Sequence, residues 1–180
     1  MFVSGKTDVY DKAKKQMRLS ERLVAALPGF RGYKEKELRR ESDKLIRNYL
    51  AQKLSTAKSN LKTVFQKLSD RRALDVITDM DRLVAKFDRV VEKVNHASYG
   101  YAGFFNIVKI EEAALDRMTE FDNQMVDDID SILQKVEAFK ADVIKQEFTK
   151  TKEHIQTLTE AIEAFEDAFD KRAQVITGVI

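Results

Sequence analysis

Apolar residues recur every three or four positions along two long stretches of the chain. In the first, Leu50, Leu54, Ala57, Leu61, Val64 and Leu68 lead on to Ala73, Ile77, Met80, Val84, Phe87, Val91 and Val94. In the second, Ala114, Met118, Phe121 and Met125 are followed later by Ile155, Leu158, Ile162, Phe165 and Phe169. Such spacing keeps one side of a 3.6-residue helix apolar, and no comparable run alternates as a half-buried strand does. The predicted fold is all-α. Residues 33–99 and 104–177 contain neither glycine nor proline and are rich in Ala, Leu, Glu, Lys, Gln and Arg, the good helix formers. A shorter helix is predicted over residues 8–26, with Tyr10, Ala13, Met17, Val24 and Leu27 on one face. Pro28, Gly29 and Gly32 end it.

The apolar register slips twice, between Leu68 and Ala73 and between Val143 and Phe148. Ser69 and Thr149 are candidate N-caps there, as Asn106 is for the later half, with Glu111 and Glu112 suited to its dipole. If the chain turns at both slips, it forms an antiparallel four-helix bundle. If a hendecad-like shift carries the helices through, it forms a long antiparallel helical hairpin of coiled-coil type. The phenylalanines favour the bundle, because Phe65, Phe87, Phe121, Phe139, Phe165 and Phe169 are bulkier than a two-stranded seam usually takes. The expected organisation is an N-terminal helical arm with a Pro/Gly linker over 1–32, then a helical bundle over 33–180. Its predicted core comprises Leu54, Leu61, Phe65, Ile77, Val84, Phe87, Val91, Phe121, Met125, Phe139, Ile162, Phe165 and Phe169.

The helix breakers gather in two places, "LPGFRGYKEKELRR" at 27–40 and "SYGYAGFF" at 98–105. A turn near Ser69 brings both to one end of the bundle. Phe30, Tyr33, Tyr99, Tyr101, Phe104 and Phe105 then close the core, with Arg31 and Lys34 at the rim, and this end is the candidate partner-binding surface. A helix running straight from 33 to 96 instead separates them by ~95 Å. On the second helix, Glu35 with Arg39 and Asp43 with Arg47 read as i,i+4 pairs supporting its exposed side.

Composition changes the picture in one respect. A chain of 180 residues makes one domain, and its 34% charged residues exceed the typical ~25% in both signs, as on solvated helix faces. The signs are unevenly placed. Residues 1–100 carry 23 Lys/Arg against 13 Asp/Glu, and residues 101–180 carry 9 against 17. Either the basic half faces an anionic partner, or basic helices lie against acidic ones. The internal arrangement is the favoured expectation.

Candidate chemistry adds little. The absence of cysteine removes disulfides, thiolate metal sites and cysteine nucleophiles and suits a reducing compartment. The N-terminus has no apolar signal region, and no apolar run approaches the ~20 residues that span a bilayer; a cytoplasmic location is expected. His96 and His154 stand in no catalytic motif, and "GFRG" lacks the P-loop pattern. No Glu-x-x-His pair of the di-metal bundle type occurs. Glu92 with His96, and Glu111, Glu112, Asp116 and Asp122, form at most a weak carboxylate cluster. No cofactor, metal or small-molecule substrate is inferred.

Lys12, Lys14, Lys15, Arg18 and Arg22, then Arg31, Lys34, Lys36, Arg39 and Arg40, make the segment 1–40 basic enough to meet a phosphate backbone or an anionic membrane. Glu35, Glu37, Glu41 and Asp43 dilute that field. The expected function is therefore a non-catalytic helical scaffold or adaptor that binds a protein partner or self-associates. Binding of nucleic acid or anionic membrane through the basic N-terminal segment 1–40 is the alternative. "LPGFRGYKEKELRRESDKLIR" and "ASYGYAGFFNIVKIEEAALDRMTEFD" resemble the two recurring blocks of an uncharacterised family of small prokaryotic helical proteins. That resemblance implies a prokaryotic cytoplasmic setting and assigns no catalytic residue.

Overall fold

A computed structural model describes residues 4–35, 38–97 and 112–177. All regular structure among them is helical, in five elements: α1 (Ser4–Ala26), α2 (Arg39–Asp70), α3 (Leu74–His96), α4 (Glu112–Ile144) and α5 (Thr151–Thr177). The all-α expectation holds. First-turn acids at Glu41, Asp75 and Glu153 and last-turn bases at Lys67 and Lys93 complement the helix dipoles.

Both long stretches break where the apolar register slips, and neither break uses glycine. Past α2, Arg72 takes a left-handed φ of 58°. Its N–H donates to the Ser69 carbonyl, and the Ala73 N–H reaches back to that of Leu68. Past α4, Gln146 has φ 66° and the same two bonds recur, Gln146 to Val143 and Glu147 to Asp142. These are Schellman caps. Ser69 lies inside α2 rather than capping α3, whose N-cap position is Ala73 with no side-chain bond. The chain resumes as helix at Leu74 after the first cap and only at Thr151 after the second.

Helices α2 and α3 form one hairpin, and α4 and α5 another. The second hairpin repeats the core spacing of the first at a constant offset along the chain. Leu54 matches Ile129, Leu61 matches Val136, Leu68 matches Val143, Met80 matches Ile155, Leu83 matches Leu158 and Val94 matches Phe169, all buried. The hairpins lie side by side, α2 along α4 and α3 along α5, while α1 lies along α4. Paired residues advance together, from Lys53–Asp130 to Asn60–Glu137 and from Lys86–Glu163 to Lys93–Asp170. Neighbouring helices of the two hairpins therefore run parallel.

That register matches charge to charge. Lys53, Lys86, Arg89 and Lys93 of the first hairpin meet Asp130, Glu163, Glu166 and Asp170 of the second. On α1, Lys15 and Arg22 meet Glu120 and Asp127 of α4. Part of the charge asymmetry in the sequence is thus closed inside the molecule.

Of the predicted core, Leu54, Leu61, Phe87, Val91, Met125, Phe139, Ile162, Phe165 and Phe169 are buried, while Phe65, Ile77, Val84 and Phe121 pack half-buried against it. The face predicted for α1 is corrected. Leu27 is buried as predicted, but Leu23 turns to the core where Val24 was expected, and Met17 and Val24 are 61% and 52% exposed. With apolar residues on two sides of α1, contact with α4 decides which side is covered.

Candidate functional site

The linker "LPGFRGY" is a built turn. Leu27–Pro28–Gly29–Phe30 closes with the Phe30 N–H on the Leu27 carbonyl at 3.1 Å. Proline at the second position and glycine at the third, with φ 91°, are what a type II turn requires. Gly32 adds a second positive φ of 82°. These two bends carry the chain from the end of α1 back along α2 and drive Phe30 and Tyr33 into the core, 3% and 2% exposed and edge to face at 5.7 Å.

Tyr33 enters a cluster of buried charge. Arg172 of α5 is fully buried. Its Nε donates to Asp122 of α4 at 2.6 Å, Nη1 to Asp43 of α2 at 2.9 Å, and Nη2 to the Tyr33 hydroxyl at 3.1 Å. The Tyr33 hydroxyl donates to the other Asp122 oxygen at 2.5 Å, and Arg47 Nε donates to the other Asp43 oxygen at 2.9 Å. Two carboxylates therefore balance two guanidiniums, joining α2, α4, α5 and the linker.

Side chains at the start of α2 hold the linker backbone from beneath. Arg39 Nε donates to the Tyr33 carbonyl at 2.8 Å, and Ser42 Oγ donates to the Gly32 carbonyl at 2.8 Å. Burial pushes the Tyr33 hydroxyl well above its ordinary value; the Asp122 and Asp43 charges add to this, and Arg172 opposes it. For Arg172, burial works against the charge, but Asp122, Tyr33 and Asp43 outweigh it and hold the guanidinium protonated.

Such a cluster is sealed. Its ionisable residues are at most 9% exposed, and none of its buried polar atoms lacks a hydrogen-bond partner. Solvent and substrate do not reach it; it fixes the relative positions of three helices and one loop.

The residues singled out from the sequence separate accordingly. Phe30 and Tyr33 are core, and Arg31 and Lys34 are exposed beside them. Tyr99, Tyr101, Phe104, Phe105, Asn106 and Glu111 lie outside the described residues, so the meeting of the two breaker segments does too. Asp43 and Arg47 do pair, but in the interior rather than on an exposed face, and Arg39 turns to the linker carbonyls. Asp122 is spent on Arg172 and Tyr33, while Glu92 and His96 pair with each other in solvent. Among the described residues, no group of three His, Cys, Asp or Glu could hold a metal ion. His154 stacks on Phe139 at 4.8 Å and bonds Asp142 at 2.9 Å, which pulls the Asp142 carboxyl below its ordinary value.

Sequence reasoning missed the network because Asp43, Asp122 and Arg172 each sit on an amphipathic helix among other charges. The one available signal was Tyr33, an aromatic placed between a turn and a helix start. Compared with known proteins, the chain matches no family model, no curated protein and no solved structure. No described helix is long and apolar enough to cross a membrane.

Proposed function

We infer that this chain is a non-catalytic scaffold of the prokaryotic cytoplasm, a four-helix bundle of two antiparallel hairpins with α1 as its arm, that binds a protein partner or a second copy. The observation that carries it is the pinned linker. Its rings are inserted in the core and its carbonyls are held by Arg39 and Ser42, while Arg31 and Lys34 stay in solvent. Displaying two cations on a locked turn costs little ordering entropy on binding, which suits an acidic patch on a partner.

Light scattering and affinity capture with the full chain test this. A stoichiometric protein partner or a dimer is expected, lost in Arg31→Glu/Lys34→Glu. A monomer that retains no protein would contradict it. Exposed Lys14 and Arg18 on α1 favour the second reading, a polyanion or anionic membrane, which predicts instead retained nucleic acid or vesicle binding that falls steeply with salt.

A further inference from the structure

The linker divides the chain sharply. From Phe30 onward it is fixed, by rings in the core and by Arg39 and Ser42 on its carbonyls. Pro28 and Gly29, just before, are exposed. Their turn is closed by the one bond from the Phe30 N–H to the Leu27 carbonyl, and it requires Gly29 at a φ of 91°. Short, tight hinges of this kind are where an element is exchanged between copies.

Helix α1, on the far side of that hinge, has a narrow hold on the bundle. It lies along α4, with Leu23 and Leu27 buried. Lys15–Glu120 at 3.0 Å and Arg22–Asp127 at 2.5 Å flank the contact, and all four side chains are largely in solvent. Such pairs are individually weak. Met17 and Val24 on the outer flank are uncovered, so α1 is held along one side alone.

The α4 face beneath is nevertheless matched to this helix. Glu120 and Asp127 stand seven residues apart, as do the Lys15 and Arg22 they meet. Between them Asn123, 4% exposed, donates its side-chain amide to the Leu19 carbonyl at 3.1 Å. An arm lifted away would expose Leu23 and Leu27 and strip Asn123 of that acceptor. Whatever takes its place must offer the same cations at the same spacing, with a carbonyl and apolar side chains between. A second copy of the chain supplies all of these.

We propose that α1 is an exchangeable arm, and that two copies associate by each seating α1 on the α4 of the other through an opened Pro28–Gly29 hinge. The ion pairs, the Asn123 bond and the leucine contacts are remade in the exchange. The turn bond is given up, and Gly29 is released from its left-handed conformation. This rests on the second-copy half of the reading above and says how that copy is held.

Mixing two single variants of this cysteine-free chain, Lys15→Cys and Glu120→Cys, tests it. They are unfolded together in urea, refolded at high concentration and treated with a short bismaleimide, with the Lys15→Cys/Glu120→Cys chain calibrating the reagent. A covalent dimer joining one chain of each kind is expected, its yield rising with concentration. Gly29→Ala in the same pair should raise the dimer-to-monomer ratio about tenfold, because a side chain strains the left-handed closed turn and not the open one. Its Cβ would meet Leu45 at 3.7 Å, an ordinary contact, so the strain is in the backbone. Absence of the mixed dimer, or Gly29→Ala chains no more dimeric than the parent, would each overturn the exchange. A dimer seen by light scattering without the mixed crosslink would also overturn it, while leaving the second-copy reading standing.

Discussion

Arg172 is the residue on which most depends, because one guanidinium satisfies Asp43, Asp122 and Tyr33 at once. Replacing it by methionine keeps the bulk, leaves the buried Asp122 carboxylate without a cation and leaves Asp43 with Arg47 alone. Removing one partner of a buried ion pair typically costs about 3–5 kcal/mol, and Arg172→Met should lose stability on that scale in urea unfolding. A melt like the parent's would mean the network contributes nothing. Tyr33 adds a pH signature. Its folded value is raised above its unfolded value of about 10, so its contribution is complete below pH 10. Above that the unfolded chain loses the proton first, and the contribution fades. The stability advantage of wild type over Tyr33→Phe should therefore shrink as pH rises above about 10; an advantage that grows there would contradict the assignment.

At the scale of elements, the turns are held by conformations their residues tolerate poorly. A left-handed non-glycine residue costs about 1–2 kcal/mol, so Arg72→Gly should raise stability by up to about 1 kcal/mol once glycine's own entropy is counted. Thermal unfolding decides this, and a loss would show that Arg72 contributes more than a cap. Those turns also mark the limit of legibility. Helix identity and the core of Phe87, Phe139 and Phe165 were plain from periodicity, and the slips at Leu68–Ala73 and Val143–Phe148 located both breaks. Whether the chain turned there was not plain, since Schellman caps on Arg72 and Gln146 carry no glycine to announce them. The buried face of α1 was misread because Met17 and Val24 are as apolar as Leu23 and Leu27, and only the presence of α4 separates them. Asp43 and Arg47 looked like solvated surface because a charge pair reads the same buried or exposed until its neighbours are known.

Over the whole molecule, the uneven charge of the sequence becomes a register device. The basic first hairpin and α1 meet the acidic second hairpin at Lys53–Asp130, Lys93–Asp170 and Arg22–Asp127. Surface pairs of this kind are each worth little, about 0–1 kcal/mol, but like charges brought opposite would penalise a slipped alignment. The central claim is that the chain folds back at 71–73 so that the start of α2 and the end of α3 share the end sealed by the buried network. Spin labels on Arg31→Cys and Ala97→Cys in this cysteine-free chain test it most directly. Arg31 is preferred to Gly32, whose φ of 82° would strain a side chain. Helices packed about 8–10 Å apart put the labels within about 30 Å of each other in dipolar spectroscopy. A separation near the ~95 Å of an unbroken helix would contradict the folded-back bundle and the sealed end with it.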